Sequence, residues 1–435
     1  MGNMKLKLNR IFMFCLALLA PCAVWGQSGE SRQVDYTPSE VELITNRYVD
    51  SYDSLINTFY LRRIAKHRLI SNREFDVEEF DAIPDSVLIA RLRALHTVIP
   101  MTFNKEVRAH IRFYLRYIAR RIDVMMMLSE YYRPTFEDAL SRYGVPEELK
   151  NLAIVESALN PKATSRAGAA GLWQFIYSTG RDYDLEVNSV VDERRDPYKS
   201  SVAAAHFLSR LHRVFGDWTL AIAAYNCGPG SISKAIARSG GKRDFWELYP
   251  YLPRETRGYI PAFIAVTYVM NYYPQHGIRP VKLEVPMHTD TVGLHHDVLF
   301  HYVEEFTKIS DEELRTLNPQ YRADYIPAST GNYAICLPSN KMALFISHLD
   351  TIYARSQDSL SRRPITVEPD KGSVRSSKKD KKSNKGGGGR YHTVKKGETL
   401  SSVARRYGIS LSQLKKMNGI KKDKIIVGQR LKVRG

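Results

Sequence analysis

Between residues 156 and 259, four short motifs follow one another in a fixed order, and they constrain this chain more than its length or composition does. Glu156-Ser157 comes late in a run with helical apolar spacing, Leu152, Val155 and Leu159. A loop of small residues follows, Asn160-Pro161-Lys162-Ala163-Thr164-Ser165, then Gly168-Ala169-Ala170-Gly171-Leu172-Trp173-Gln174-Phe175. Ala224-Tyr225-Asn226-Cys227-Gly228-Pro229-Gly230 is the third motif. Leu252-Pro253-Arg254-Glu255-Thr256-Arg257-Gly258-Tyr259 is the fourth. Pro146 suits a first helical turn, and the spacing predicts a helix over 146–159 carrying Glu156. Asp196-Pro197 opens a second helix, through Ala203-Ala204-Ala205 and Leu208 to Leu211. Trp218 to Tyr225 gives a third, stopped by Gly228-Pro229-Gly230, and Pro261 to Tyr273 a fourth. Residues 131–277 are therefore expected to be a compact α domain.

Taken together, the four motifs resemble the lytic transglycosylases of the goose-lysozyme-like superfamily, and within it the membrane-bound D type. The resemblance implies a mainly α protein whose lysozyme-like (SLT) catalytic domain follows a helical N-terminal region. It implies cleavage of the β-1,4 bond between MurNAc and GlcNAc in peptidoglycan glycan strands, ending in 1,6-anhydromuramoyl products. Such a cleavage needs a proton delivered to a poor leaving-group oxygen, work that suits a carboxylic acid. Leu149, Leu152 and Ala153 lie three to seven residues before Glu156 and give it apolar company. By the resemblance Glu156 is the catalytic residue, first acid and then base, and no second carboxylate is required. The cluster Asp192, Glu193 and Asp196 is the nearest alternative source of one. Its neighbours Arg194 and Arg195 favour internal ion pairs instead.

The same resemblance makes Ser165, Gln174, Tyr225, Asn226 and Tyr259 the substrate-binding residues. Ser165 would line the cleft, Gln174 would offer an amide to the sugar, and the Tyr259 hydroxyl would reach the glutamate. Trp173 reads either as a sugar-stacking ring or as core. Arg254, Glu255 and Arg257 read as structural ion pairs. Two other functions stay open on the same residues, a hydrolytic muramidase and a non-catalytic wall-binding protein. No CxxC or HExxH pattern supports a metal, and no cofactor is expected.

The start of the chain reads as a secretory signal over 1–26, with Lys5, Lys7 and Arg10 before an apolar run from Ile11 to Val24. That run is short for a membrane span. Leu19-Ala20-Pro21-Cys22 resembles a lipobox, with Pro21 where a small residue belongs, so the reading is an exported protein of a Gram-negative periplasm with outer-membrane anchoring left open. Cys227 and Cys336 could pair in an oxidising compartment, but as isolated cysteines in what look like separate domains they read as free buried thiols. Residues 38–130 read as the helical N-terminal region, with Leu88, Leu92 and Leu95 forming one stripe and Ile111, Leu115 and Ile118 another.

Net charge is +18 over 435 residues, but residues 371–435 alone carry 20 Lys and Arg against 3 Asp and Glu, a net of +17. Export argues against nucleic acid as the partner. A wall polymer bearing peptide carboxylates fits the basic tail. An internal repeat is present as well: Val303, Ile309-Ser310, Leu314 and Leu317-Asn318 match Val403, Ile409-Ser410, Leu414 and Met417-Asn418 at a constant offset of 100. The second copy, 391–434, resembles a βααβ LysM domain, through Tyr391-His392-Thr393-Val394, Gly397-Glu398-Thr399-Leu400, Asn418 and Val427-Gly428-Gln429. The first, 281–345, reads as a degenerate LysM-like segment with an insertion near Ala328–Gly331. Between them, 364–390 is rich in Lys, Ser and Gly and reads as a flexible linker. Its ~27 residues reach on the order of 30 Å.

Overall fold

The computed structural model describes residues 77–118, 122–278, 288–363 and 365–369, then 390–394, 399–400, 403–404, 407, 411–420, 426 and 428–434. The expected signal segment, residues 38–76 and most of the linker lie outside these residues. So do Gly397-Glu398, Ile409-Ser410 and Val427 of the LysM pattern. The chain divides into two compact units, 1–374 and 375–435.

The principal helices of the first unit are α1 (Asp85–Arg93), α2 (Lys105–Ile118), α3 (Ile122–Arg142), α4 (Asn151–Ser157), α5 (Pro197–Phe215), α6 (Trp218–Cys227), α7 (Pro229–Arg238) and α8 (Tyr259–Tyr272). In α8 every residue from Tyr259 to Val269 is buried. A helix apolar on all sides belongs at a centre, and α2, α4 and α6 pack around it. Leu88, Leu92, Ile111 and Leu115 share one core with Leu152, Leu208 and Phe263. The helices before residue 131 thus complete the hydrophobic centre rather than forming one of their own.

Helix α5 shows the local logic plainly. Asp196 accepts hydrogen bonds from the backbone N–H groups of Tyr198 and Lys199, Pro197 occupies the first turn, and Gly216 ends the helix at φ 71°. These are the expected N-cap, N1 and C′ residues. The helix predicted over 146–159 is different. Glu147–Lys150 form a 3-10 turn and only Asn151–Ser157 are α-helical. Ala158 and Leu159 stop it with φ of 54° and 62°. Left-handed conformations at non-glycine residues cost of order 1 kcal/mol or more each. Here both residues are almost fully buried, so packing holds them.

The LysM-like segment comprises β1 (Thr289–Leu294), β2 (Val298–Leu299), α9 (Phe300–Thr307), α10 (Asp311–Leu317), β3 (Tyr325–Ile326), β4 (Tyr333–Pro338), α11 (Ser339–Ser347) and α12 (Leu349–Arg362). β1 pairs antiparallel with β4, Leu294 facing Tyr333, while β2 and β3 form a separate short pair. Its core joins Val303, Leu314, Ile335 and Leu337 to Phe345 and Ile352, so it runs on past residue 345. It also takes in Val190 and Val191, which precede α5.

The second unit contains β5 (Arg390–Thr393), α13 (Leu411–Asn418) and β6 (Arg430–Arg434), with β5 antiparallel to β6. One asparagine closes each copy in the same way. The Asn318 amide donates to Leu314 O at 2.9 Å and Cys336 O at 2.8 Å, and accepts from Cys336 N at 2.8 Å. The Asn418 amide donates to Leu414 O and Lys432 O at 2.8 Å each, and accepts from Lys432 N at 2.5 Å. Cys227 and Cys336 are free, and each is half-buried rather than fully buried. Among the described residues no helix is long and apolar enough to cross a membrane.

Candidate active site

Glu156 is the penultimate residue of α4, half-exposed where Leu152, Ala153 and Val155 beside it are buried. Tyr259, the first residue of α8, donates its hydroxyl to Glu156 Oε1 at 2.5 Å, across 103 positions of sequence. Tyr225 of α6 lies close by. Burial first, then the charge of Glu156, raises its phenol well above the ordinary value. Its hydroxyl donates to Trp173 O at 2.8 Å. The next residue, Asn226, accepts from the Thr256 hydroxyl at 2.8 Å through Oδ1. The last turn of α6 and the 253–259 turn are thereby tied together beside Glu156. Thr256 received no role from sequence, although it stands inside the fourth motif. Arg257 grips the same turn by donating to Leu252 O at 3.2 Å and Pro250 O at 3.0 Å.

Ser165 and Gln174 come from the small-residue loop. Ser157 fixes that loop to the acid's own helix, donating to Leu172 O at 2.8 Å. Within the loop, Ser165 Oγ accepts from Ala169 N at 3.1 Å, and Gly171 N donates to Ala163 O at 3.1 Å. Gly171 has φ +85°, and a Cβ there would lie 1.7 Å from Arg194 O. Only glycine allows that approach. The Gln174 amide is engaged within the loop, Nε2 donating to Gly171 O at 2.8 Å. Trp173 resolves to core, fully buried, with Nε1 donating to Ser201 Oγ at 2.8 Å.

Each member of the acidic cluster is engaged. Asp192 is paired with Arg194 and with Arg322, at 2.8 Å each. Burial alone would raise its carboxyl, but the hydrogen bonds and charge of Arg194, then the charges of Arg322 and Arg195, outweigh this and hold it below its usual range. Glu193 pairs with Lys199, and Asp196 caps α5. The site therefore presents Glu156 with a tyrosine donor, not with a second carboxylate from this cluster. Among the described residues no group of three or more His, Cys, Asp or Glu could hold a metal ion.

The helix that carries Glu156 and the glycine-turned loop beside it lie within a segment similar to the transglycosylase SLT domain. The profile of the transglycosylase SLT domain matches residues 134–247, that of the LysM domain matches 392–434, and that of the LysM-like domain of lytic transglycosylase MltD matches 288–354. The membrane-bound lytic murein transglycosylase D of Escherichia coli (strain K12) is 33% identical over 339 residues, covering 76% of this chain and 69% of the relative. The soluble lytic murein transglycosylase of Salmonella typhimurium is 30% identical over 152 residues, covering 32% of this chain and 23% of that one. This chain belongs to the family of membrane-bound lytic murein transglycosylase D.

Proposed function

We propose that this protein is a peptidoglycan lytic transglycosylase acting on the MurNAc–GlcNAc β-1,4 bond, in the periplasm and in association with a membrane. Glu156 protonates the bridging oxygen as the bond from it to MurNAc C1 breaks. The carboxylate then removes the proton from the MurNAc C6 hydroxyl as O6 bonds to C1. The proton balance closes on Glu156, water is not consumed, and a 1,6-anhydro ring results. An attack from within the same sugar gains from proximity. The observation that carries this reading is the Tyr259–Glu156 hydrogen bond, which joins the first and fourth motifs at one carboxyl.

Ser165, Gln174, Tyr225, Asn226 and Tyr259 are proposed to contact the glycan. The C-terminal LysM domain is proposed to hold the enzyme on the wall. Mass spectrometry of muropeptides released by the purified protein tests the reaction. Anhydromuramoyl ends are expected; reducing ends would mean that water is the nucleophile, and intact glycan would mean that the fold only binds.

A further inference from the structure

Asp192 is fully buried, yet three guanidinium groups converge on it. Arg194 donates from Nε to Oδ1 at 2.8 Å and from Nη2 to Oδ2 at 2.9 Å. Arg322 donates from Nη2 to Oδ2 at 2.8 Å. Arg195 Nε stands back at 3.4 Å from the same Oδ2. Arg194 and Arg195 belong to the turn before α5, whereas Arg322 belongs to the LysM-like segment.

The far ends of the first two arginines hold the cleft loop. Arg194 Nη1 donates to Gly168 O at 2.9 Å and to Phe175 O at 3.2 Å. Arg195 donates to Lys162 O and to the Thr164 hydroxyl, both at 2.7 Å. These four points bracket Ser165 and Gln174 on both sides. Long side chains reach such points reliably only when their charged heads are fixed, and a buried carboxylate fixes them strongly.

Arg322 is in turn seated by backbone. Its Nη1 donates to Asn188 O at 2.8 Å. Arg322 N donates to Val190 O at 2.7 Å, and Asp192 N donates to Gln320 O at 2.8 Å. Val191 and Tyr321 form a β-bridge between these bonds. The LysM-like segment thus meets the catalytic core along 188–192, and its arginine shares Asp192 Oδ2 with Arg194 while Arg195 Nε stands at 3.4 Å from the same oxygen.

We propose that Arg322, acting through Asp192, is a positioning residue for the loop 162–175, so that the LysM-like segment tunes substrate binding without touching substrate. Without Arg322, the Arg195 head closes onto Asp192 Oδ2 and loosens its hold on Lys162 and Thr164. The loop then carries Ser165 and Gln174 less firmly. The proposal rests on the function stated above only insofar as that loop binds glycan.

The test compares wild type, Arg322→Ala, Arg322→Lys, Ser165→Ala and the Arg322→Ala/Ser165→Ala double variant on soluble glycan chains, with melting recorded for each. Arg322→Ala is expected to raise KM about three- to thirty-fold with kcat nearly unchanged, the size of coupling carried by contiguous side chains. Arg322→Lys keeps the charge but not the fork, and should recover part of the loss. The KM effects of Arg322→Ala and Ser165→Ala should combine less than additively, as they do for coupled positions. Hydrogen exchange reads the loop directly: in Arg322→Ala the amides of Ser165, Ala170 and Gly171 should exchange faster while those of α8 do not. Unchanged KM and unchanged loop exchange would overturn the proposal. So would a fall in kcat that merely follows a lowered melting point at constant KM. If wild type fails to cleave glycan, the functional reading fails, and loop exchange still decides whether Arg322 positions the loop.

Discussion

The LysM-like segment and the C-terminal LysM domain close around corresponding side chains but carry opposite net charges. Asn318 and Asn418 each tie the end of a helix to the last strand, and Val303, Leu314, Val403 and Leu414 fill the two cores with no exposed area. On charge they part. Residues 288–354 hold 4 Lys and Arg against 9 Asp and Glu, a net of −5, whereas residues 392–434 hold 12 against 2, a net of +10. The acidic copy shares a core with Val190 and Val191 of the catalytic unit; the basic copy follows a run of Lys, Ser and Gly. Because closure depends on an internal asparagine, the outer face is free to take either employment. One copy packs into the core of the first unit, and the other carries a charge suited to a carboxylate-bearing wall.

The sharpest separation of the two roles is Glu156→Gln. Cleavage should fall by at least ~10²–10⁴-fold, since an amide cannot deliver the proton. Sedimentation with insoluble peptidoglycan should be unchanged. Residual activity within about tenfold of wild type would remove Glu156 from the mechanism. Next in size is a chain ending near Pro364, which loses the basic copy and keeps the acidic one. Its binding to insoluble peptidoglycan should weaken by up to about a hundredfold, as when one of two linked contacts is lost. Cleavage of soluble chains should persist. If soluble cleavage disappears too, the two copies are not divided as described.

Asn318→Ala and Asn418→Ala then probe the shared knot. Each leaves buried backbone groups unpaired, at about 1–3 kcal/mol. Asn318→Ala should lower the melting of the catalytic unit, and Asn418→Ala should lower wall binding while leaving soluble cleavage intact. Equal effects of both variants on cleavage would break the comparison.

The smallest effect expected is on pH, between about 7 and 6, and it belongs to the first unit. Burial lowers His110 to about 4, partly offset by its bond to Glu106 O, and burial with the charge of Arg91 lowers His276 to about 4. The unfolded chain, with histidines near 6.5, takes up these protons first. Stability is therefore complete above about 6.5 and declines as pH falls toward 4. A urea midpoint for the first unit that is higher at pH 6 than at pH 7.5 would contradict this.

Helix α5 was legible in its start and its apolar middle, because an aspartate cap, a first-turn proline and an alanine run are all local; the sequence reading carried it to Leu211, and it runs on to Phe215. The candidate acid was legible because its motif fixes a helix end and a loop together. The shortness of α4 was not: two buried residues, Ala158 and Leu159, adopt a backbone that no local preference favours, and tertiary packing decides it. The bond from the Gln174 amide to Gly171 O was hidden for a like reason, since it depends on the positive φ of both Gly171 and Gln174. Asp192 could be read as an ion-pair residue from Arg194 and Arg195 beside it. Its pairing with Arg322 joins two short segments with no periodic pattern between them.

That pairing spans 130 positions of sequence. A chain made from its N-terminus therefore possesses Glu156, the cleft loop and Tyr259 well before Arg322 exists. Until Arg322 follows, the three-arginine arrangement on Asp192 lacks its last member, and the loop 162–175 reaches its finished hold only after the segment that follows the catalytic core has joined it.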